Sequence, residues 1–408
     1  MAYSYNKGFH TLMTEAGILS SKSFSAYMTD VIGFGNSQEM DVDGFTWDDD
    51  ISLTYDYVQA VLKNRIKVMA TYADKDSEVI PLGTEGFEIL RGTLPTQKAR
   101  FFWDADDYRK YLDAVSRLQI RGGSIKDNAL NILFNGMTDI KSAHELSMLY
   151  QRDQMVSHRS LTLTADNNPR GITGLTFTAN VPGGNVTTKT GTARWYTNAS
   201  NKDTAHEGSA SDPVGDVKKV IREMKRKGWN DIIVEVDYVS WLEDMDHTGW
   251  RTAFGYQLRP ELYGSGADNP DARALAVGKK VGDEDLKGMF AREIGIPAEN
   301  VHFRRGLAGV EKLVGKGPDA SLTRTPIRTF DANTYVFYPA GPLGTIKSAA
   351  ALVPDDKAIY SEFFGGRGLI QYEYDAKAKT QEWWSELAAL CVPNRPQEMF
   401  YLITISDS

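Results

Sequence analysis

Along the chain the apolar positions change period several times. Between about 126 and 158 they fall at Leu130, Leu133, Met137, Ile140, Ala143, Leu146 and Tyr150, three or four apart. That spacing follows one helical face and predicts a single helix of roughly 45 Å. Gly136 is a point where it can bend. The run SLTLTADNNPRG then alternates and turns at Asn-Pro, which ends the helix. Residues 172–195 are Thr-rich and alternate about Gly183-Gly184, the pattern of a hairpin. In 74–103, β-type stretches at Phe87 to Leu90 and Ala99 to Trp103 are separated by Gly92 and Pro95. This predicts a long, polar two-stranded ribbon. A lone ribbon is marginal in water unless it packs on something, so a projecting one implies a neighbouring chain. Residues 51–73 read as mixed helix and strand, and Asp104 to Leu118 as a short helix.

The stretch from Ser211 to Met245 has the clearest punctuation. Asp212 is placed as an N-cap and Pro213 as the first helical residue, where its missing N–H costs nothing. Val214, Val217, Val220, Ile221 and Met224 form an apolar stripe. Lys218, Lys219, Arg222, Lys225, Arg226 and Lys227 form the other face, weighted to the end where the helix dipole favours cations. Gly228 closes the helix. Trp229 to Val236 reads as a strand buried on both faces, and Tyr238 to Met245 as a further helix. The acidic residues of this module fall where caps and surface positions are expected. Residues 250–330 read as short strands between Gly- and Pro-rich turns, with one helical pattern at Asp283 to Ile294. The end is β-type at Thr334 to Tyr338, Gly368 to Tyr374, Glu382 to Val392 and Glu398 to Ser406. Residues 1–50 mix Ser, Gly, Thr and Asp with scattered aromatics, among them Phe9 and Tyr27. Such a segment is either an arm lying on something else or a loosely packed start of the same domain.

Composition narrows the function classes. The 408 residues are 41% hydrophobic and 25% charged, enough for two or three domains or one elaborated fold. A net charge of −8 argues against nucleic-acid binding as the main role. The single cysteine, Cys391, excludes an intrachain disulfide and sits in an apolar strand as a core residue. No apolar run approaches the ~20 residues of a membrane helix, and the start lacks a signal-peptide pattern, so neither spanning nor secretion by that route is expected.

Candidate chemistry is sparse. The six histidines make no HExxH spacing, and His144-Glu145 and His206-Glu207 are adjacent pairs, which do not face one site on a helix. Asp48-Asp49-Asp50 lacks the alternating oxygens of a calcium loop. Gly33-Phe34-Gly35 and YGSGADN lack the context of a phosphate loop, and no GxSxG is present. No cofactor, metal or catalytic constellation is expected; the weak enzyme reading is a hydrolase using His206, Glu207 and Asp212. The basic face at 218–227 is either a solvated face or a contact for nucleic acid or an acidic partner.

The order of these elements resembles that of the major capsid proteins of tailed bacteriophages, the Hong Kong 97-type fold, over most of the chain. The phrases that carry the resemblance are QRDQMVSHRSLTLTADN, SDPVGDVKKVIREMKRKGWNDIIVEVDYVSWL and NTYVFYPAG. The stretch beginning SDPVGD is similar to the start of the axial domain in the subfamily related to lambda's major head protein. The resemblance implies an α+β chain with an N-terminal arm (1–50) and the start of a peripheral domain (51–125) carrying an extended E-loop (about 74–103). A spine helix and peripheral strands (126–212) would follow, then an axial α/β domain (213–340) and a return to the peripheral domain (341–408). It implies a structural, non-enzymatic protein that self-assembles through hexamers and pentamers into an icosahedral virion shell around double-stranded DNA, in the host cytoplasm. A net negative subunit suits DNA held loosely and without sequence specificity. Scaffolding, portal and decoration proteins are the implied partners. The alternative on the same fold is an encapsulin-like nanocompartment shell. Arg91, Lys98, Arg100, Phe9, Tyr27, Arg222 and Arg226 are the expected inter-subunit contacts. Lys75 and Lys98 lie in the E-loop region, but nothing identifies partners for a covalent cross-link, and none is expected.

Overall fold

The computed structural model describes residues 20–32, 40–62, 87–103, 109, 125–169, 171–263, 269–314, 321–351, 359–375 and 380–405. In chain order the first half contains α1 (Ser21–Tyr27), β1 (Phe45–Trp47), β2 (Asp56–Leu62), β3 (Phe87–Thr93), β4 (Thr96–Trp103), α2 (Ile125–Ser157), β5 (Ser160–Thr162), β6 (Thr176–Thr178) and β7 (Val186–Thr188). The other half contains α3 (Pro213–Arg226), β8 (Ile232–Asp237), α4 (Tyr238–Met245), α5 (Thr248–Leu258), α6 (Pro270–Gly278), α7 (Asp283–Ile294), β9 (Val301–Arg304), β10 (Leu307–Val314) and β11 (Ser321–Arg328). Strands β12 (Thr334–Pro339), β13 (Gly344–Ser348), β14 (Ile359–Phe363), β15 (Gly368–Asp375), β16 (Thr380–Pro393) and β17 (Phe400–Ile403) complete a mixed α+β chain.

Two compact units are discontinuous in sequence. The first comprises 1–59, 90–149 and 344–392. Its six-stranded sheet runs β1-β13-β16-β15-β14, with β4 also on β16. The long strand β16 therefore has partners on both sides, and its alternation places Trp383, Leu387 and Ala389 in the core. Phe24 of α1 stacks on Trp383 with ring centroids 4.8 Å apart. Phe24 and Met28 are fully buried, so this part of the N-terminal segment packs on its own unit. The other unit comprises 60–89, 150–343 and 393–408. Its five-stranded sheet runs β7-β17-β12-β8-β9. Strand β8 pairs antiparallel with β12 and parallel with β9. A parallel return needs a long crossover, and α4 to α7 supply it. Their apolar faces bring Trp241, Trp250, Phe254 and Phe290 into one core with Trp195 and the α3 stripe.

Where the sequence carries strong caps the boundaries agree closely. Asp212 accepts a hydrogen bond from the Gly215 amide and Pro213 opens α3. Helices α4 and α7 occupy the expected residues. Elsewhere pairings are redistributed. β3 and β4 do not pair with each other: β3 joins β2, and β4 pairs with β16 from Trp103↔Gln381 to Thr96↔Ala388. The two-stranded element is thus framed by Asp56–Leu62 and Phe87–Thr93, and the expected helix at 104–118 lies outside the described residues. The expected hairpin at 172–195 also splits. β6 pairs antiparallel with β5, and β7 lies parallel to β17. At the start of 250–330, expected as short strands between turns, the chain instead forms α5 (Thr248–Leu258) and α6 (Pro270–Gly278). The last strand, β17, lies in the sheet of β8 and β12, whereas β16 lies in the other unit's sheet. The C-terminal strands therefore do not all return to one place.

Candidate functional site

The expected contact residues are spread over several surfaces. Arg91 is exposed on β3. Lys98 and Arg100 lie on β4, where Lys98 is 3.1 Å from Glu386 and Arg100 pairs with Glu382 across the β4–β16 ladder. Those two cations have acidic partners inside the chain. Arg222 and Arg226 are exposed one turn apart on α3. Phe9 lies outside the described residues, and Tyr27 closes α1.

An exposed ribbon lies within 250–330, where short strands between turns were expected. β10 and β11 form an antiparallel ribbon of eight pairs, from Leu307↔Arg328 to Val314↔Ser321. None of its residues with described side chains is buried, and Leu307 is 60% exposed. An ion pair of 2.9 Å, Arg324 Nε to Glu311 Oε1, crosses the strands. Alternation puts Ala308, Val310, Thr325 and Ile327 on one face, which is only partly covered.

At the other extreme is a buried ionic network. Arg152, near the end of α2, and Glu235, in the middle of β8, are both fully buried. The guanidinium binds the carboxylate in two-pronged fashion, Nη1 to Oε2 at 2.7 Å and Nη2 to Oε1 at 2.6 Å. Arg304 of β9 and the Tyr338 hydroxyl of β12 also donate to Oε1, each at 2.6 Å. Arg152 donates further to Asp153 at 3.0 Å, and Asp153 accepts from Thr329 Oγ1 at 2.5 Å. Burial pushes the Glu235 carboxyl upward, but the charges and hydrogen bonds of Arg152, His302 and Arg304 outweigh it and hold the group well below the usual carboxylate range. Asp153 goes the other way: burial raises it more than Arg152 lowers it. The network ties the end of α2 to three strands of one sheet. Glu235 also corrects the expectation that the acids near α3 are caps and surface groups; Asp237 is a cap, Glu235 is core. Its signal was a single carboxylate inside the apolar run IIVEV.

Asp244 is another buried acid. It accepts from Lys202 Nζ and from the Tyr335 hydroxyl, both at 2.9 Å.

The residues of the hydrolase reading do not converge. His206 Nδ1 meets Asp203 at 2.6 Å, Glu207 accepts from the Thr248 amide at 2.8 Å, and Asp212 caps α3. A different trio, Ser211, His247 and Glu207, superficially resembles a nucleophilic set. Ser211 Oγ lies 3.0 Å from His247 Nε2, and Glu207 Oε2 lies 3.9 Å from that same nitrogen. His247 Nδ1 accepts the Gly249 amide hydrogen at 3.0 Å, so the ring proton sits on Nε2. The nitrogen facing the hydroxyl is therefore already protonated and cannot take a proton from it, and Ser211 Oγ donates to the Gly208 carbonyl at 2.7 Å. This set positions the start of α5. Among the described residues no three His, Cys, Asp or Glu side chains are placed to hold a metal ion, and no helix is long and apolar enough to cross a membrane.

No protein-family profile matches the chain, and no curated protein is similar to it in sequence. Solved structures are similar at low identity over most of their length. One is assigned as the capsid protein of a prophage of Escherichia coli CFT073, with 10% identity, 97% of this chain and 99% of that chain covered, and a TM-score of 0.44. Another is in the mature capsid of bacteriophage PhiM1, with 13% identity, 92% and 97% covered, and a TM-score of 0.37. A third is the SrpI encapsulin of Synechococcus elongatus PCC 7942, with 9% identity, 89% and 85% covered, and a TM-score of 0.34.

Proposed function

We propose that this chain is the major capsid protein of a tailed phage, a structural subunit that assembles through pentamers and hexamers into an icosahedral, DNA-enclosing virion shell. The observation that carries the reading is the β10–β11 ribbon, eight residue pairs long with no buried side chain among those described. An isolated two-stranded ribbon has little stability of its own in water. It is most simply covered by another copy of the same subunit. A further two-stranded element, β2–β3, brackets residues 63–86 and overlaps in part the stretch assigned to the E-loop, about 74–103. The order of helix, ribbon, 33-residue helix, small sheet and inserted α/β unit supports the same reading. The role is one of shape and contact, and the ionic network under β8 suits a unit that keeps its form when neighbours press on it. Scaffolding, portal and decoration proteins belong to this proposal as partners, as does assembly in the host cytoplasm.

Electron microscopy of the purified full chain, alone and with a co-expressed scaffold candidate, tests it directly. Uniform shells, or rings of five and six, are the expected outcome. Shells filled with an enzyme cargo in place of DNA would favour the encapsulin-like alternative, and a monomer under every condition would remove the shell reading.

A further inference from the structure

Six cations line the polar face of α3, and their situations differ. Lys218 Nζ is 2.5 Å from Glu293 Oε1. Lys225 donates to the Gly295 carbonyl at 3.3 Å. Lys227 donates to Asn185 Oδ1 at 3.3 Å and lies 4.4 Å from the centre of the Phe400 ring. These three have work inside the fold. Lys219, Arg222 and Arg226 follow one another at spacings of three and four, so they share one stripe of the helix. All three are exposed, and none has an ion pair among the described residues. Like charges at this spacing repel one another slightly, so the stripe weakens the isolated helix rather than supporting it.

In the same compact unit, α7 opens with Asp283, Glu284 and Asp285. Their side chains are exposed, and none has an ion pair among the described residues. Their position at a helix N-terminus accounts for their sign locally, but leaves the carboxylates facing solvent. One unit therefore presents three unpaired cations on one helix and three unpaired anions on another. Two different patches of opposite sign on one subunit produce a head-to-tail contact, which closes into a ring when the rotation between copies permits. Nucleic acid fits less well: three cations on a chain of net charge −8 fall short of the ~6–10 phosphate contacts of a typical duplex-binding surface.

We propose that the Lys219, Arg222 and Arg226 stripe of one copy docks on the Asp283 to Asp285 turn of the next copy, forming the ring contact of the shell. The partner rests on the shell reading above. Exposed pairs of this kind set orientation and association rate more than raw affinity, so the contact is salt-sensitive.

The test uses the full chain and three variants: Arg222→Glu with Arg226→Glu, Glu284→Lys with Asp285→Lys, and all four changes together. Thermal melts check that each folds; Glu284→Gln with Asp285→Asn replaces the acidic reversal if that one melts early. Each reversal alone is expected to lower the assembled fraction about tenfold, corresponding to ~1.4 kcal/mol, and the four-fold variant to regain most of it. Three results would overturn the proposal. Assembly could be indifferent to both reversals. Both could impair it with no recovery on combination, in which case the stripe meets something else. Or the stripe reversal could leave assembly intact and abolish retention of duplex DNA in a mobility-shift assay, which would assign the stripe to nucleic acid. If the unaltered chain never assembles, the shell reading fails and this proposal with it. Shells that ignore the charge changes would sink the proposal alone.

Discussion

Glu235 and His144 are the two residues whose environment most changes what they do. Glu235 is fully buried, and Arg152, Arg304 and Tyr338 all donate to one of its carboxylate oxygens. Such a network is held together by mutual compensation, and its loss is felt through the partner left behind. Glu235→Ala strands the Arg152 guanidinium without its main counter-charge and should cost about 3–5 kcal/mol in chemical denaturation. A loss below about 1 kcal/mol would mean that water reaches Arg152 and that the network is not sealed. His144 is buried with its Nε2 2.7 Å from Ser385 Oγ, and burial pushes its imidazole down from 6.5 to about 4. In the unfolded chain the ring regains its ordinary value. Between the two values the unfolded state binds more protons, so the contribution of His144 is present above pH 6.5 and is lost as pH falls toward 4. The full effect is on the order of 3 kcal/mol. Melting curves of the parent and of His144→Asn across that window should differ in slope, the variant being flatter; parallel slopes would show that His144 is not held neutral. The role of His144 was not legible in the sequence, and that of Glu235 showed only as a lone carboxylate in the apolar run IIVEV. A histidine and an arginine on a helix read as surface residues until the tertiary fold seals them.

At the scale of elements, α2 shows how a correct helix can be assigned a face that is only partly right: Met137 and Ile140 are buried as expected, but the stripe then diverges. The apolar spacing picked out Met137, Ile140, Ala143, Leu146 and Tyr150. In the structure the buried stripe continues from Ile140 through His144, Met148 and Arg152 to Met155, while Leu146 is 39% exposed. Steps of three repeated in succession drift by about 60° each around a helix with ~3.6 residues per turn, whereas the buried stripe's steps of four drift about 40° the other way and are partly offset by its last step of three. It was hidden because two of its members are polar. The α5–α6 pair has the opposite character: it was read as strands and is fixed by small residues. A Cβ on Gly255 would lie 1.8 Å from the Ala274 carbonyl oxygen, and one on Gly278 would lie 1.7 Å from that of Arg251. The two helices can approach only because both positions are bare. Gly255→Ala should destabilise the fold by about 3 kcal/mol, measured by denaturation, since backbone must move to admit the methyl group. No measurable change would mean that the pair is loosely docked. The β10–β11 ribbon makes the converse prediction. Replacing residues 309–326 with a short Gly-Ser link, which keeps the Arg328–Asp237 ion pair, should leave the melting temperature of the subunit nearly unchanged and reduce shell yield. An unaffected yield would show that the ribbon is not covered by another copy.

For the molecule as a whole, the N-terminal segment separates fold from assembly. Phe24 and Met28 belong to the core of the first unit, so a cut that includes them would unfold as well as disassemble. Removing residues 1–19 alone should leave unfolding unchanged and weaken particles, measured by sedimentation. Equal losses in both would make that segment part of the subunit's own packing. The sequence by itself determined the features governed by local chemistry: the capped helix α3 with its proline, the glycine stop, helices α4 and α7, and the long run of α2. Each depends on the order of neighbouring residues and on backbone groups that must be satisfied within a turn or two. Only the tertiary structure decided which strands pair and which charges are buried. β3 left β4 for β2, and β17 joined β12 in the sheet of β8, because edge backbone groups bind whichever complementary edge the whole chain brings near. Arg152 and Glu235 met because their separation of 83 residues is closed by the fold, and no local pattern carries that information.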